Sequence, residues 1–435
     1  MSGQFRIALV LSALTAAGCW QFKHCQMDND CGSGNGLMCD TTTKMCTSAA
    51  AGAGGAGGQG GRGGAGGVHD AGAMDAPVPC TASSCTEVTK PICAPHDGPV
   101  AACEACTDTT QCTALGTSKP ACKKATGACV ICVDNTTCAG TTPVCDTATN
   151  TCTKCVSDSD CAAAPGVCMG DGHCASAGEV IFVQYSASGC PNADGTAAKP
   201  YCTLGGSTGG VQALSSARTA LVVVGPANDQ LALATSGFAP LIVGRANSGM
   251  PGSIGASVAA AISVSSDNVQ IRDIAVTGTT SSANGIIATG NGTKLTLTRV
   301  TVSIPKGLAI DAETGVTLTM ASCTVSNSAG GGILLNGAAF DIENTTVTNN
   351  GPGSLQTSAA TVGGIFVNDT ASVAPVVLKQ VTVTGNMGPG IACLNAITGT
   401  GLLVYGNSTP QIGANCGSGI STCGDAGTTT CGAQQ

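Results

Sequence analysis

Aromatic and charged side chains are what this chain has least of. Its 435 residues include only 1 Trp, 3 Tyr and 6 Phe, and charged residues make up 10%. A core assembled around aromatic rings is therefore excluded, and aliphatic residues must do the packing. The net charge of -8 offers no basic field to a phosphate backbone, so no nucleic acid partner is expected. Histidine is scarce as well: the last of 4 is His173, so the rest of the chain lacks the usual general base for neutral pH. What the chain has in quantity is 63 Gly and 28 Cys.

The first residues, MSGQFRIALVLSALTAAGCW, carry one Arg, an apolar run from Ile7 to Leu14 and small residues leading to Cys19. That is a secretory signal over 1–18, too short to span a membrane as a mature helix. Its end, LTAAGC, resembles the lipobox of bacterial lipoproteins. The resemblance implies acylation of Cys19 and a membrane partner through a lipid anchor. It departs from the family pattern in having Ala16 where Leu is preferred, which keeps ordinary cleavage and secretion as the alternative. Trp20 follows Cys19 where an Asp would imply inner-membrane retention, so the resemblance points to the outer membrane or cell surface.

From Cys25 the cysteines recur in fours: Cys25, Cys31, Cys39, Cys46; Cys80, Cys85, Cys93, Cys103; Cys106, Cys112, Cys122, Cys129; Cys132, Cys138, Cys145, Cys152; and Cys155, Cys161, Cys168, Cys174. Units such as CVDNTTCAGTTPVCDTATNTC have too little apolar surface to fold unaided, so two disulfides per unit are expected to hold each one. Four cysteines allow three pairings, and the spacing does not choose among them. The CxxC steps CEAC, CVIC and CTKC also suit zinc. An exported context favours disulfides, and no metal or other cofactor is expected. The acids of Asp28–Asp30 and Asp158–Asp160 lack the further ligands of a calcium loop and read as exposed turn residues.

Between the first unit, 19–48, and the other four, 80–178, lies a Gly/Ala-rich linker, 49–79, whose composition gives a flexible tether. Its coil span is on the order of 30 Å.

Beyond Glu179 a second repeat begins. VQIRDIAV, LTLTRVTV, LTMASCTV, FDIENTTV, VVLKQVTV and ITGTGLLV start at Val269, Leu295, Leu318, Phe340, Val376 and Ile397, spaced 26, 23, 22, 36 and 21 residues apart. In each, apolar residues alternate, skip two, then alternate again, as in Val269, Ile271, Ile274 and Val276. Period two puts them on one face of a strand, and the double step is a bend that keeps that face inward. Stacking would align Val276, Val302, Val325, Val347, Val383 and Val404 in one column, with coils about 4.8 Å apart. A second strand follows, opening with Gly285, Gly307, Gly332, Gly364 or Gly390 and ending on Thr289, Asp311, Asn336, Asn368 or Asn395. Asn327, Asn349, Asn386 and Asn407 mark another corner as a side-chain ladder. Cys323 falls in an inward column as an unpaired small apolar residue. Cys190 and Cys202 flank a DGT turn and are expected to pair; Cys393, Cys416, Cys423 and Cys431 could pair near the C-terminal end.

These repeats resemble the right-handed parallel β-helix proteins of the pectate-lyase-like class over 179–419, leaving a Cys-containing tail, 420–435. The fold class expected is all-β: a right-handed parallel β-helix (solenoid) preceded by small, disulfide-rich, mostly irregular repeats.

The resemblance raises catalysis, and the residues argue against it. Related polygalacturonases carry a Gly-His-Gly and clustered Asp pairs; pectate lyases gather acids around calcium with an Arg base. The weak catalytic candidates here are Asp341 and Glu343, two apart on one strand and about 7 Å from each other. Lys379, aligned with Glu343 in the next coil, is expected to pair with it. From Thr203 onward the aromatics are Phe238, Phe340, Phe366 and Tyr405, and Phe340 and Phe366 read as inward residues, so sugar binding would depend on hydroxyl and amide hydrogen bonds. An outward T-x-T array, from Ala275/Thr277 through Thr301/Ser303, Thr324/Ser326 and Thr346/Thr348 to Thr382/Thr384, resembles the face of ice-binding β-helices, although Thr suits any exposed strand. The expected role is a non-catalytic surface lipoprotein, structural, adhesive or contacting an extracellular polysaccharide or protein. The alternative is a secreted polysaccharide lyase or glycoside hydrolase.

Overall fold

The computed structural model describes residues 37–40 and 45–48, then Cys85, 87–94 and 102–422. Short omissions fall at 162–164, 186–189, 191, 235–236, 257–259, 279–283, 355–360, 369–374, 409 and 418–419. Cys19, Cys25, Cys31, Cys80, Asp28–Asp30, the linker 49–79, Asp369, Cys423 and Cys431 lie outside the described residues. The chain divides into two units, Met1–Asp75 and Ala76–Gln435. In the first, Leu37–Asp40 and Met45–Ser48 form an antiparallel pair with Cys39 opposite Cys46.

The same hairpin recurs along the second unit. Cys93 faces Cys103, Cys122 faces Cys129 and Cys145 faces Cys152 across antiparallel strand pairs, and Cys168 faces Cys174 across a single bridge. Opposed cysteines do not bond to each other. First pairs with third and second with fourth: Cys106–Cys122 with Cys112–Cys129, Cys132–Cys145 with Cys138–Cys152, and Cys155–Cys168 with Cys161–Cys174. In the unit before them Cys85–Cys103 joins second to fourth, and Cys93 is also disulfide-bonded. The buried sulfurs are the core of each unit. In the chain-entropy account, closing a loop of this size contributes about 3 kcal/mol per bridge, which stands in for the apolar burial these sequences cannot provide.

Local chemistry repeats with the cysteines. Helix Thr109–Ala114 is capped by Asp108, whose carboxylate accepts from Gln111 N while the Gln111 amide accepts from Asp108 N. In the next two units the helix shrinks to single 3₁₀ turns, Asn135–Thr137 and Asp158–Asp160. The residue three beyond the first cysteine then ties the turn to the hairpin: Asn135 Oδ1 accepts from Cys145 N at 2.8 Å, and Asp158 Oδ1 from Cys168 N at 2.7 Å.

From Val180 to Thr422 the chain is a parallel β-solenoid with three sheets. The first holds Val180–Val183, Ala220–Val224, Leu241–Arg245, Val269–Arg272, Lys294–Thr298, Thr317–Ala321, Ala339–Glu343 and Val376–Lys379; the second holds the strands after each bend, and the third has seven strands. Thr398–Tyr405 runs through the first two without a break. Burial alternates along the strands because only one face can meet the interior, as in Lys294–Thr298 and Thr317–Ala321. The valine column holds in register: Val276, Val302, Val325, Val347, Val383 and Val404 are successive partners. Phe340 fills the middle as the largest fully buried side chain. Cys323 is buried and free. Cys190–Cys202 and Cys393–Cys416 are disulfides near the two ends.

Four details depart from the sequence expectations. The solenoid continues past 419, because Ile420–Thr422 adds a strand to Thr398–Tyr405. The glycine opening the third sheet is matched in the next coil by Ala309, not Gly307, since Ile286 pairs with Ile310. A Cβ at Gly332, Gly364 or Gly390 would come within 2.5 Å of the next coil's carbonyl oxygen or closer. The same register removes Asp311 and Asn395 from the polar column; Asn336 stays, accepting from Asn368 Nδ2 at 2.8 Å.

The asparagine ladder includes Asn386 and Asn407 as expected but is displaced by one residue at its first two positions. Ser328, Asn350, Asn386 and Asn407 are the buried polar rungs, whereas Asn327 and Asn349 precede them in the left-handed region at φ 55° and 54°. Asn350 N and Nδ2 both donate to Asn386 Oδ1 at 2.9 Å, and Asn386 N and Nδ2 donate to Asn407 Oδ1 at 3.0 and 2.7 Å. Finally, Phe366 faces outward. It packs with Leu334 under Val362, supplied by the antiparallel pair Gly353–Ser354 and Thr361–Val362 in the one long coil.

Candidate functional site

The outward face of the first sheet carries the acid pair. Asp341 and Glu343 project from Ala339–Glu343 to the same side, Asp341 partly buried and Glu343 exposed. Lys379 lies opposite Glu343 in backbone register, yet its Nζ reaches diagonally to Asp341 Oδ2 at 3.0 Å. The expected Glu343–Lys379 pair is thus replaced by Asp341–Lys379. Asp341 has Thr319 and Val377 as register neighbours, and Glu343 has Ala321. The neighbours supply no second carboxylate, and a lysine holds one of the two acids. This is the geometry of an ion pair on a strand surface.

The β-helix arginines are engaged by the protein itself. Arg218 donates to the carbonyls of Val180, Asp194 and Gly195. Arg245 donates to Pro165 and Gly166 O, both at 3.0 Å, and lies over the Phe182 ring. Arg299 grips Asp273 with Nε and Nη2 at 2.6 and 2.7 Å. Arg272 Nη2 bonds Asp158 Oδ1 and, at 2.7 Å, Cys168 O. Burial pulls the Arg272 guanidinium below its ordinary value, against the pull of Asp158 and Asp273.

Asp158 is therefore not the exposed turn acid its sequence suggested. It fastens the last cysteine repeat to the solenoid, beside an apolar patch in which Val167 and Met169 meet Val180, Phe182, Val222 and Val243. Its neighbour Asp160 accepts from Val156 N and Ser157 N, both at 2.9 Å. No local sequence signal marked this junction, because its partners are 114 residues apart. His173 sits at the same boundary, with Nδ1 on Asp171 at 2.5 Å and Nε2 on Glu179 at 3.2 Å.

Among the described residues, Asp311 is the one acid pushed well above its ordinary value, to about 6, mainly by burial and secondarily by Glu313. It lies on the third sheet between Ile287 and Leu334, away from Asp341, so the two do not form a catalytic pair. In the cysteine repeats both sulfurs of CEAC, CVIC and CTKC are in disulfides, each with a different partner. The T-x-T array is present in register on the second sheet, extended by Ser253/Gly255 above and Leu403/Tyr405 below.

The sequence model of the family described as "Right handed beta helix region" matches residues 254–416. Among solved structures the chain is similar to "Crystal structure of pectate lyase Pel9A", with 14% identity and a TM-score of 0.37, over 57% of this chain and 74% of that one. No curated protein matches the chain.

Proposed function

We propose that this protein is an exported lipoprotein, acylated at Cys19, whose cysteine repeats carry a non-catalytic β-helix out to a structural or adhesive contact with extracellular polysaccharide or protein. The observation that carries this reading is the state of its best acid pair: Asp341 is neutralised by Lys379, and Thr319, Val377 and Ala321 stand where further catalytic carboxylates would have to be. Two carboxylates serve glycoside cleavage when one is kept protonated and the other stays ionised. Here Asp341 is occupied by an ion pair with Lys379 Nζ at 3.0 Å, and no neighbouring register position carries a further carboxylate. The arginines support the same reading, since each is bonded within the protein.

The parallel β-helix fold is equally compatible with a secreted lyase or hydrolase, so the test must separate the two. The purified chain is incubated with a panel of acidic and neutral polysaccharides while unsaturated and reducing ends are measured. No release is expected; release abolished by Asp341→Ala would establish the enzyme. Labelled fatty acid should appear in the wild-type chain and not in Cys19→Ala, and a glycan array on the purified protein tests the contact role.

A further inference from the structure

The last cysteine repeat and the first sheet enclose a groove of about 400 Å³, within the size range of small-ligand sites. One wall is Lys154, Val156 and the turn 168–172; the other is Gln270, Arg272, Thr298 and Arg299. Glycine keeps it open. A Cβ on Gly170 would fall 2.6 Å from the Gln270 side-chain amide, and Gly172, at φ +92°, lies against the Lys154 side chain.

The charges along this groove are unequal in availability. Asp158 and Asp273 are spent on Arg272 and Arg299, and Asp171 on His173. Lys154 is exposed and forms no ion pair among the described residues. Arg272 Nε is buried with no hydrogen-bond partner. Val156, 83% exposed, adds an apolar lip. An ammonium, an amide and a hydroxyl beside an aliphatic surface match a sugar ring that carries a negative group.

We propose that this groove binds an anionic saccharide, with Lys154 facing its carboxylate or sulfate and Gln270 and Thr298 facing ring hydroxyls. The proposal rests on the glycan-contacting reading above and names its site. It requires the junction between repeat and solenoid, because neither wall forms the groove alone.

The test is calorimetric titration of the full chain with a uronate oligosaccharide, a sulfated oligosaccharide and a neutral glucan oligosaccharide, at low and high salt. Binding of at least one anionic probe and not the neutral one is expected, weakening with salt. The two anionic arms separate carboxylate from sulfate. Lys154→Ala should weaken binding about tenfold, the size of one charge-assisted hydrogen bond, and Lys154→Glu should abolish it. Lys306→Ala, at an exposed position outside the groove, should leave it unchanged. Lys154 is a surface residue, so both substitutions keep the fold, checked by circular dichroism. Equal binding of the neutral probe, or full binding by Lys154→Glu, overturns the groove while leaving a glycan contact elsewhere intact. Failure of every probe here and on the array overturns both.

Discussion

Asn386 stands in the middle of the buried amide ladder, and replacing it with alanine isolates what that ladder contributes. Its Oδ1 accepts two bonds from Asn350, and its Nδ2 donates to Asn407 Oδ1 at 2.7 Å and Val347 O at 3.1 Å. Truncation removes all four. Asn350 Nδ2 still reaches Val325 O, and Asn407 Oδ1 still accepts from Asn386 N. The orphans are the Asn350 backbone N–H and one amide proton, both out of reach of water because Asn350 is fully buried. At about 1–3 kcal/mol per orphaned group, the expected loss is about 3–5 kcal/mol once the cavity is included. Ser328→Ala, at the outer rung, orphans one backbone donor, Ile304 N, and should cost about 1–2 kcal/mol. Equilibrium urea unfolding followed by far-UV circular dichroism, with disulfides verified by mass, measures both. A cost for Asn386→Ala no greater than for Ser328→Ala would refute the claim that the rungs act as a connected ladder.

Two further outcomes are expected. Around His173, burial lowers the imidazolium's pKa, but Asp171 and Glu179 outweigh it and the net value is raised. Its stabilisation is full below the ordinary value and disappears as pH rises through the raised one. Burial gives Asp311 a penalty that is present above about 6 and relieved as pH falls through it. Unfolding midpoints should therefore rise from about pH 8 to about pH 5, then fall as pH drops through the ordinary values of the carboxylates with lowered values, such as Asp160 and Glu179. Asp311→Asn should flatten the slope near pH 6 and His173→Gln the slope above it; unchanged profiles would contradict these assignments. Cys323 is buried, with a thiol pushed up by that burial and Sγ near Leu297 O and Ala321 O, so a thiol reagent should react with it only after unfolding. Rapid labelling of the native protein at Cys323 would count against the inward placement.

The solenoid was legible because each first strand and bend carry the same local rule, and the aliphatic columns followed from period two and the double step. The rungs were harder. Asn327 and Asn349 favour the left-handed corner for reasons of backbone, and Asn350 and Asn386 favour the next position for reasons of hydrogen bonding, so composition alone does not separate them. The separating signal is a fixed offset of three from the inward valine: Val325 to Ser328, Val347 to Asn350, Val383 to Asn386, Val404 to Asn407. Phe366 was misjudged because an alternating strand buries its outer face only when added chain folds over it, as Val362 of the strand pair just before it does here. Asp158 with Arg272, and the groove beside them, arise from an encounter between two repeat systems that share no local pattern. The expected Glu343–Lys379 pair failed for a simpler reason: register fixes backbones, and a lysine is long enough to choose the diagonal carboxylate.

The long coil shows where this architecture tolerates growth. Phe340 and Val376 are direct partners although 36 residues separate them, and Ile333 and Ile365 remain aligned on the third sheet across the same excursion. A smaller part of the surplus lies between Asn368 and Val376; the larger part leaves and rejoins at the corner before the third sheet, and no later rung is shifted. That corner is a natural port for grafted sequence: a foreign loop placed between Ser354 and Thr361 would inherit the existing exit and return strands, turning the rod into a display scaffold whose payload is independent of its core.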